Sequence, residues 1–254
     1  MLTAVRLITA FREAGLAKGD LVLVHSALRT LGPVEGGADT VLDALLEILG
    51  PEGTLVLPTH TFRVVTAAQP VFHQLLTPSN VGTLSNVFRL RPGVVRGLHP
   101  THSVAAIGPL AGKLLGGHER ESTPCSAESP YWRLSEWGGK ILIIGVGLNC
   151  CTLFHACEEL AGMKQVHDLR ELRLFSITAE NSVIPVSTRR HVINTWDQYP
   201  LLEPDLISIG ALSVTHLGAC AIRVLDACAA ADWLVPCLER DPGRILPTPT
   251  KYSL

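Results

Sequence analysis

Apolar positions along this chain alternate between helical and strand spacing, which predicts a layered arrangement of helices and strands. Val5, Leu7, Ile8, Phe11 and Leu16 share one face of a first helix, ended by Gly19. Leu21 to Val24 follows as a short apolar strand that runs into His25 and Ser26. Helical spacing returns from Ala38 to Leu49 and stops at Gly50-Pro51, a pair suited to a helix C-terminus. Thr54 to Leu57 is a second buried strand, broken by Pro58.

No period holds from Thr61 to Pro78, so a long loop is expected there, and loops of that length tend to be functional. The pattern then predicts a helix over Val81 to Leu90 and a strand from Ser103 to Ile107. Ser129-Pro130 supplies an N-cap and a first-turn proline for a helix reaching Trp137. Lys140 to Gly145 is the clearest buried strand, and Leu153 to Ala161 a helix beyond it. The last third predicts short strands between Leu172 and Val186 and a helix from Ala221 to Leu234. No repeat or linker divides the chain, so residues 1–254 read as a single α/β domain.

Composition narrows the partners. Hydrophobic residues make up 47% of the chain and charged ones 17%, which excludes a disordered chain. A formal charge of -2 gives no field to draw in nucleic acid or an anionic membrane, so neither is an expected partner. Arg6, Arg12 and Glu13 interrupt the apolar stretches of the N-terminal segment, which argues against a signal peptide. No apolar run approaches the ~20 residues of a membrane span. Seven cysteines, with Cys150 and Cys151 adjacent, make a poor disulfide framework and point to a reducing, cytoplasmic setting.

Four short stretches join turn residues to polar side chains at strand ends, where α/β proteins bind ligands. They are His25 to Leu28, Pro58 to His60, His99 to Ser103, and Gly145 to Glu158. In the last, His155 and Glu158 stand three residues apart and share a helix face. A carboxylate there can fix the imidazole tautomer and stabilise its protonated form, as a general base requires. Gly145-x-Gly147 lacks the third glycine of a dinucleotide fingerprint, because position 150 is cysteine. A nucleophilic Cys150, Cys151 or Cys157 served by His155 is an alternative, giving a cysteine-dependent hydrolase. A metal-dependent hydrolase is another, although no CxxC pair suggests a zinc site and no metal is expected.

These blocks together resemble the aminoglycoside 3-N-acetyltransferase family, the non-GNAT type of antibiotic N-acetyltransferase. Leu21 to Arg29 is similar to the family's first strand and following turn, and Leu49 to Thr59 to its next strand block. Thr77-Pro78-Ser79, Phe88-Arg89, His99-Pro100, Ser103 and Ser129-Pro130 continue the match in order. Gly139 to Gly147 then leads to Thr152, His155 and Glu158. The resemblance implies an α/β fold with a mixed sheet flanked by helices and acetyl-CoA as co-substrate. It also implies direct transfer of the acetyl group to a small-molecule amine, an aminoglycoside or a related amino sugar, with His155 as base and Glu158 orienting it. Ser26, Ala27, Leu28, Arg29, His99, Pro100, Ser103 and Ser129 are the expected coenzyme side, with Arg29, Arg89 and Arg96 as candidate phosphate contacts. A coenzyme A-binding homologue with impaired catalysis is the remaining alternative.

The chain departs from the family pattern before the histidine, where Cys151-Thr152-Leu153 keeps only the threonine. No Asp or Glu occurs between Gly53 and His118, so acidic contacts to a cationic acceptor would have to come from elsewhere, for instance Asp197, Glu203 or Asp205. Arg189-Arg190-His191 stands where a second acidic partner is expected. Residues 165–215 are expected to complete the acceptor pocket. The sequence does not fix the oligomeric state, and a homodimer stays open.

Overall fold

The computed structural model describes residues 1–246. In chain order the elements are α1 (Ala4–Glu13), β1 (Leu21–Ser26), α2 (Gly37–Leu49), β2 (Thr54–Pro58), β3 (Val71–His73) and α3 (Thr83–Phe88). Next come β4 (Val95–Arg96), β5 (Val104–Ile107), α4 (Ala111–Leu115), α5 (Pro130–Glu136), β6 (Lys140–Ile144) and α6 (Leu153–Leu160). The last are β7 (Leu172–Ile177), β8 (Val183–Thr188), α7 (Glu203–Ser208), β9 (Leu212–Leu217), β10 (Cys220–Asp226) and α8 (Ala227–Arg240).

Seven strands form one mixed sheet in the order β4-β5-β2-β1-β6-β10-β9. β1 sits between β2 and β6 and runs parallel to both, while the outer pairings are antiparallel. The parallel centre is apolar on both faces, as such strands must be when helices cover each side. Along β1, Val22 and Val24 enter one core with Leu7, Phe11 and Leu45 of α1 and α2. Leu21 and Leu23 enter the other, with Leu134, Phe154 and Leu234 of α5, α6 and α8. The period of two thus splits one strand's side chains between two cores.

Two stretches differ from the sequence expectation. Residues 221–226, expected to open a helix, belong instead to β10, which pairs with β6 and β9. Cys220, Ile222 and Val224 alternate inward, and the Gly218-Ala219 turn joins the hairpin with Gly218 at φ 61°. The helix starts only at Ala227, where the Asp226 side chain accepts from the Ala229 N–H at 3.0 Å.

The long loop after Pro58 is not free of structure. Its β3 pairs parallel with β7 in a second, three-stranded sheet, β3-β7-β8. Arg96, 4% exposed, holds the loop down. Its guanidinium donates to the carbonyls of Gln74, Thr77 and Thr59 and to the hydroxyls of Thr59 and Ser103, and it stacks over Phe72 at 4.7 Å. No helix among the described residues is long and apolar enough to cross a membrane.

Candidate active site

β1, β2 and β6 end at the same edge of the sheet, and the turns that follow them enclose a cleft of about 460 Å³. β1 brings His25 and Ser26 to its wall, β2 brings Pro58 and His60, and the turn after β6 brings Val146 and Asn149 to Thr152. The turns interlock. The Ala27 N–H donates to the Ile144 carbonyl at 2.9 Å, and Gly145 sits at φ 64° against Thr30. A Cβ at Gly145 would stand 1.7 Å from Thr30 Oγ1, so the close approach requires glycine.

His155 reaches the cleft from the first turn of α6. Its Nδ1 lies 3.0 Å from Glu158 Oε2 and 2.8 Å from the Tyr199 hydroxyl. Tyr199 in turn donates to Glu158 Oε1 at 2.6 Å. With the tyrosine proton committed to Glu158, both atoms facing Nδ1 are acceptors. The hydrogen-bond network therefore assigns the imidazole proton to Nδ1 and leaves the lone pair on Nε2. Burial, and then the charge of Glu158, hold the Tyr199 hydroxyl well above its ordinary range, so it stays a donor. Glu158 is fully buried, and its carboxylate is held by these two partners. Trp196 stands edge-on to the His155 ring at 6.0 Å and His191 packs against it at 4.5 Å.

The rest of the floor is rich in neutral imidazole. Burial lowers His25 to about 4, and burial with neighbouring His25 lowers His60 to about 3. His60 Nε2 is 2.6 Å from the Tyr131 hydroxyl, and its ring packs on His102 at 4.7 Å. Arg63 and Arg190 are the cations of the wall, and no Asp or Glu among the described residues lines it.

Not every residue singled out in the sequence comes to this cleft. His155 and Ser26 line it, and Glu158 stands directly behind His155. Ala27 and Leu28 lie in the turn beyond Ser26, and Arg29 is exposed. His99 and Ser103 are fully buried among Thr188, Thr59 and Arg96, and the Pro100 carbonyl accepts from Thr61. Ser129 is fully buried as the N-cap of α5, accepting from the Trp132 N–H. Arg96 is committed to the loop, and Arg89 donates to Asn86 and the Leu75 carbonyl. Arg190, His191 and Trp196 reach the cleft from the segment 165–215.

The thiol alternative finds no support in this geometry. Burial raises the Cys150 thiol and pushes Cys151 up to about 12, and Cys157 stands well above its ordinary value from burial and Cys151. His155 is bonded to Glu158 and Tyr199 rather than to sulfur. Tyr199 was not legible as a site residue, because it lies 44 positions from His155 in a segment without strong periodicity.

The model of the family described as "Aminoglycoside 3-N-acetyltransferase" matches residues 23–239. Aminoglycoside N(3)-acetyltransferase VII of Streptomyces paromomycinus is 34% identical, over 95% of this chain and 93% of its own. A mutant of aminoglycoside acetyltransferase AAC(3)-IVa in complex with a gentamicin superposes with a TM-score of 0.85 at 26% identity, covering 97% of this chain and 92% of that one. AAC-IIIb in a binary complex with CoASH superposes at 0.83, covering 98% and 99%, and at 23% identity it speaks for the fold alone. With its mixed sheet and with likeness across nearly its whole length, the chain belongs to the aminoglycoside 3-N-acetyltransferase family, a family of acyltransferases.

Proposed function

We propose that this protein transfers an acetyl group from acetyl-CoA directly to an amine of an aminoglycoside or related amino sugar, with His155 as general base. The observation that carries this is the His155–Glu158–Tyr199 arrangement, which leaves Nε2 basic at the wall of the cleft. The acceptor nitrogen attacks the thioester carbonyl and gives its proton to Nε2. The C–S bond then breaks, and the coenzyme A thiolate takes a proton back from the imidazolium. Glu158 and Tyr199 stabilise that imidazolium through Nδ1. No covalent acyl-enzyme is needed, in keeping with the protonated thiols nearby.

Membership of an N-acetyltransferase family supports the donor class, and the gentamicin held by the AAC(3)-IVa mutant supports the acceptor class. The cleft wall bears on which amines suit it. An aminoglycoside carries several ammonium groups, for which carboxylates are the natural partners, yet this wall offers Arg63 and Arg190 and no acid among the described residues. It favours acceptors with few positive charges. Seven unpaired cysteines suit a cytoplasmic setting.

The test is coenzyme A thiol release with acetyl-CoA and a panel of amines. Release that depends on the amine, with kcat/KM highest for amino sugars of low charge, is expected. No release with any amine overturns the transferase reading. Faster turnover of gentamicin-class drugs than of singly charged amino sugars overturns the acceptor preference alone.

A further inference from the structure

Among the described residues, the fixed charges on the cleft wall have one sign. Arg63 and Arg190 line it, and no acid joins them. The buried imidazoles beside them do not offset that charge. His25 and His60 stay neutral, and burial, then a neighbouring imidazole, keeps His102 and His191 well below their ordinary value. The carboxylates behind His155 are committed elsewhere. Glu158 is bonded to His155 and Tyr199, and Glu159 accepts from the Thr123 hydroxyl and the Cys125 N–H.

The backbone fixes both arginines while their guanidiniums stay open. The Thr61 N–H donates to the Thr101 carbonyl at 2.9 Å, and the Val64 and Val65 N–H groups donate to the Thr61 carbonyl at 2.8 Å. Within that closed turn the Arg63 N–H donates to Asn80 Oδ1 at 3.1 Å. Arg190 lies between two similar ties. The Arg189 N–H donates to the Ser122 carbonyl and the Val192 N–H to the Val166 carbonyl, each at 2.8 Å. Nearby cations are paired: Arg189 with Glu171 at 3.6 Å and Arg170 with Asp168 at 3.8 Å. Arg63 and Arg190 are exposed, and neither has a carboxylate partner among the described residues. One such arginine is ordinary surface chemistry. Two on the wall of one cleft, with no acid between them, set the field that an entering molecule meets.

We propose that the acceptor is an amino sugar carrying an acid group, a carboxylate or a phosphate, which Arg63 and Arg190 bind while the amine faces His155. This rests on the acetyl transfer proposed above and names its acceptor more closely. A guanidinium presents paired N–H donors in a plane, a match for the oxygens of either anion. Arg190 directly precedes His191, whose ring packs 4.5 Å from that of His155, so this cation is held close to the base. Phe62 beside Arg63 and Trp196 beside His155 add aromatic surface for the apolar face of a sugar. The same field opposes a polycation, because each further ammonium group meets two like charges and no acid.

The test measures thiol release from acetyl-CoA with acceptors of graded charge: glucosamine 6-phosphate, 2-amino-2-deoxyglucuronic acid, glucosamine and gentamicin. At least one acidic sugar should exceed glucosamine in kcat/KM by about tenfold or more, and gentamicin should be poorest. The phosphate and the uronic acid together tell which anion the wall prefers. Arg63→Gln and Arg190→Gln should each lower kcat/KM for the preferred acidic sugar by about three- to tenfold, through KM, and by less for glucosamine. The Arg63→Glu/Arg190→Glu double variant should favour gentamicin over the acidic sugars, a reversal that misfolding does not produce. Equal kcat/KM for glucosamine and both acidic sugars overturns this acceptor class and leaves transfer by His155 standing. A rise in the acetyl-CoA KM of the Gln variants that is the same with every acceptor also overturns it, since the cations then hold the coenzyme. Release with no amine at all removes the transfer reading and this acceptor with it.

Discussion

At the scale of single residues, the arrangement around His155 makes a graded forecast. His155→Ala removes the base and should lower kcat by about 10²–10⁴-fold, with acetyl-CoA binding retained by calorimetry. Tyr199→Phe leaves Nδ1 with Glu158 alone and strips a buried carboxylate oxygen of its donor. A smaller fall in kcat is expected, together with about 1–3 kcal/mol less stability in urea. If Tyr199→Phe matches wild type in both, the tyrosine has no part in holding the imidazole. Arg96 shows the opposite kind of buried charge, satisfied by neutral oxygens alone. Arg96→Met should cost about 3 kcal/mol or more, because several buried acceptors lose one charged donor together. Urea midpoints of the two proteins decide it.

At the scale of elements, the turns at the strand ends do the positioning. Gly145 accepts a left-handed backbone and a neighbour where a Cβ belongs. Gly145→Ala should cost at least ~1–2 kcal/mol from the backbone alone. It should also raise KM for acetyl-CoA by pushing the β1 turn away from the β6 turn, and a variant with wild-type KM would show that this turn does not touch the coenzyme. The cap of α5 gives a milder case. Ser129→Ala should lose about 1 kcal/mol, and Ser129→Asp should keep most of it, as read from thermal melts. Both helix and cap were legible in Ser129-Pro130, since capping is local chemistry. β10 was not, because its alanine at 221 and the alanines from 227 onward share one composition while only the first belongs to an alternating strand.

For the whole molecule, the store of neutral buried histidine ties stability to pH. His25 and His60 have native values of about 4 and 3, against an ordinary 6.5. Below pH 6.5 the unfolded chain therefore binds protons that the native protein does not. Their contribution is complete above 6.5 and is lost as pH falls through about 4 and then 3, at up to about 1.4 kcal/mol per pH unit for each histidine. Urea midpoints should thus fall between about pH 7 and about pH 4.5, and the His25→Gln/His60→Gln double variant should flatten that slope. An equal slope in the variant would place the acid sensitivity elsewhere.

Local sequence was enough to specify the α/β class, the central strands, the caps and the His155–Glu158 pair. Each of these rests on spacing within one element, where period and local hydrogen bonding act over a few residues. Tertiary structure was needed to show that Tyr199 completes the histidine's environment, that Arg96 is a latch rather than a phosphate contact, and that His99, Ser103 and Ser129 are buried and do not line the cleft. The same holds for the approach of His167 and His191 to Glu159. Such contacts join stretches that are distant along the chain, and they form because the sheet order β2-β1-β6 and the bridge between residues 167 and 191 bring those stretches together. No local pattern encodes which buried side chain will find which partner, since that choice is made when the core closes.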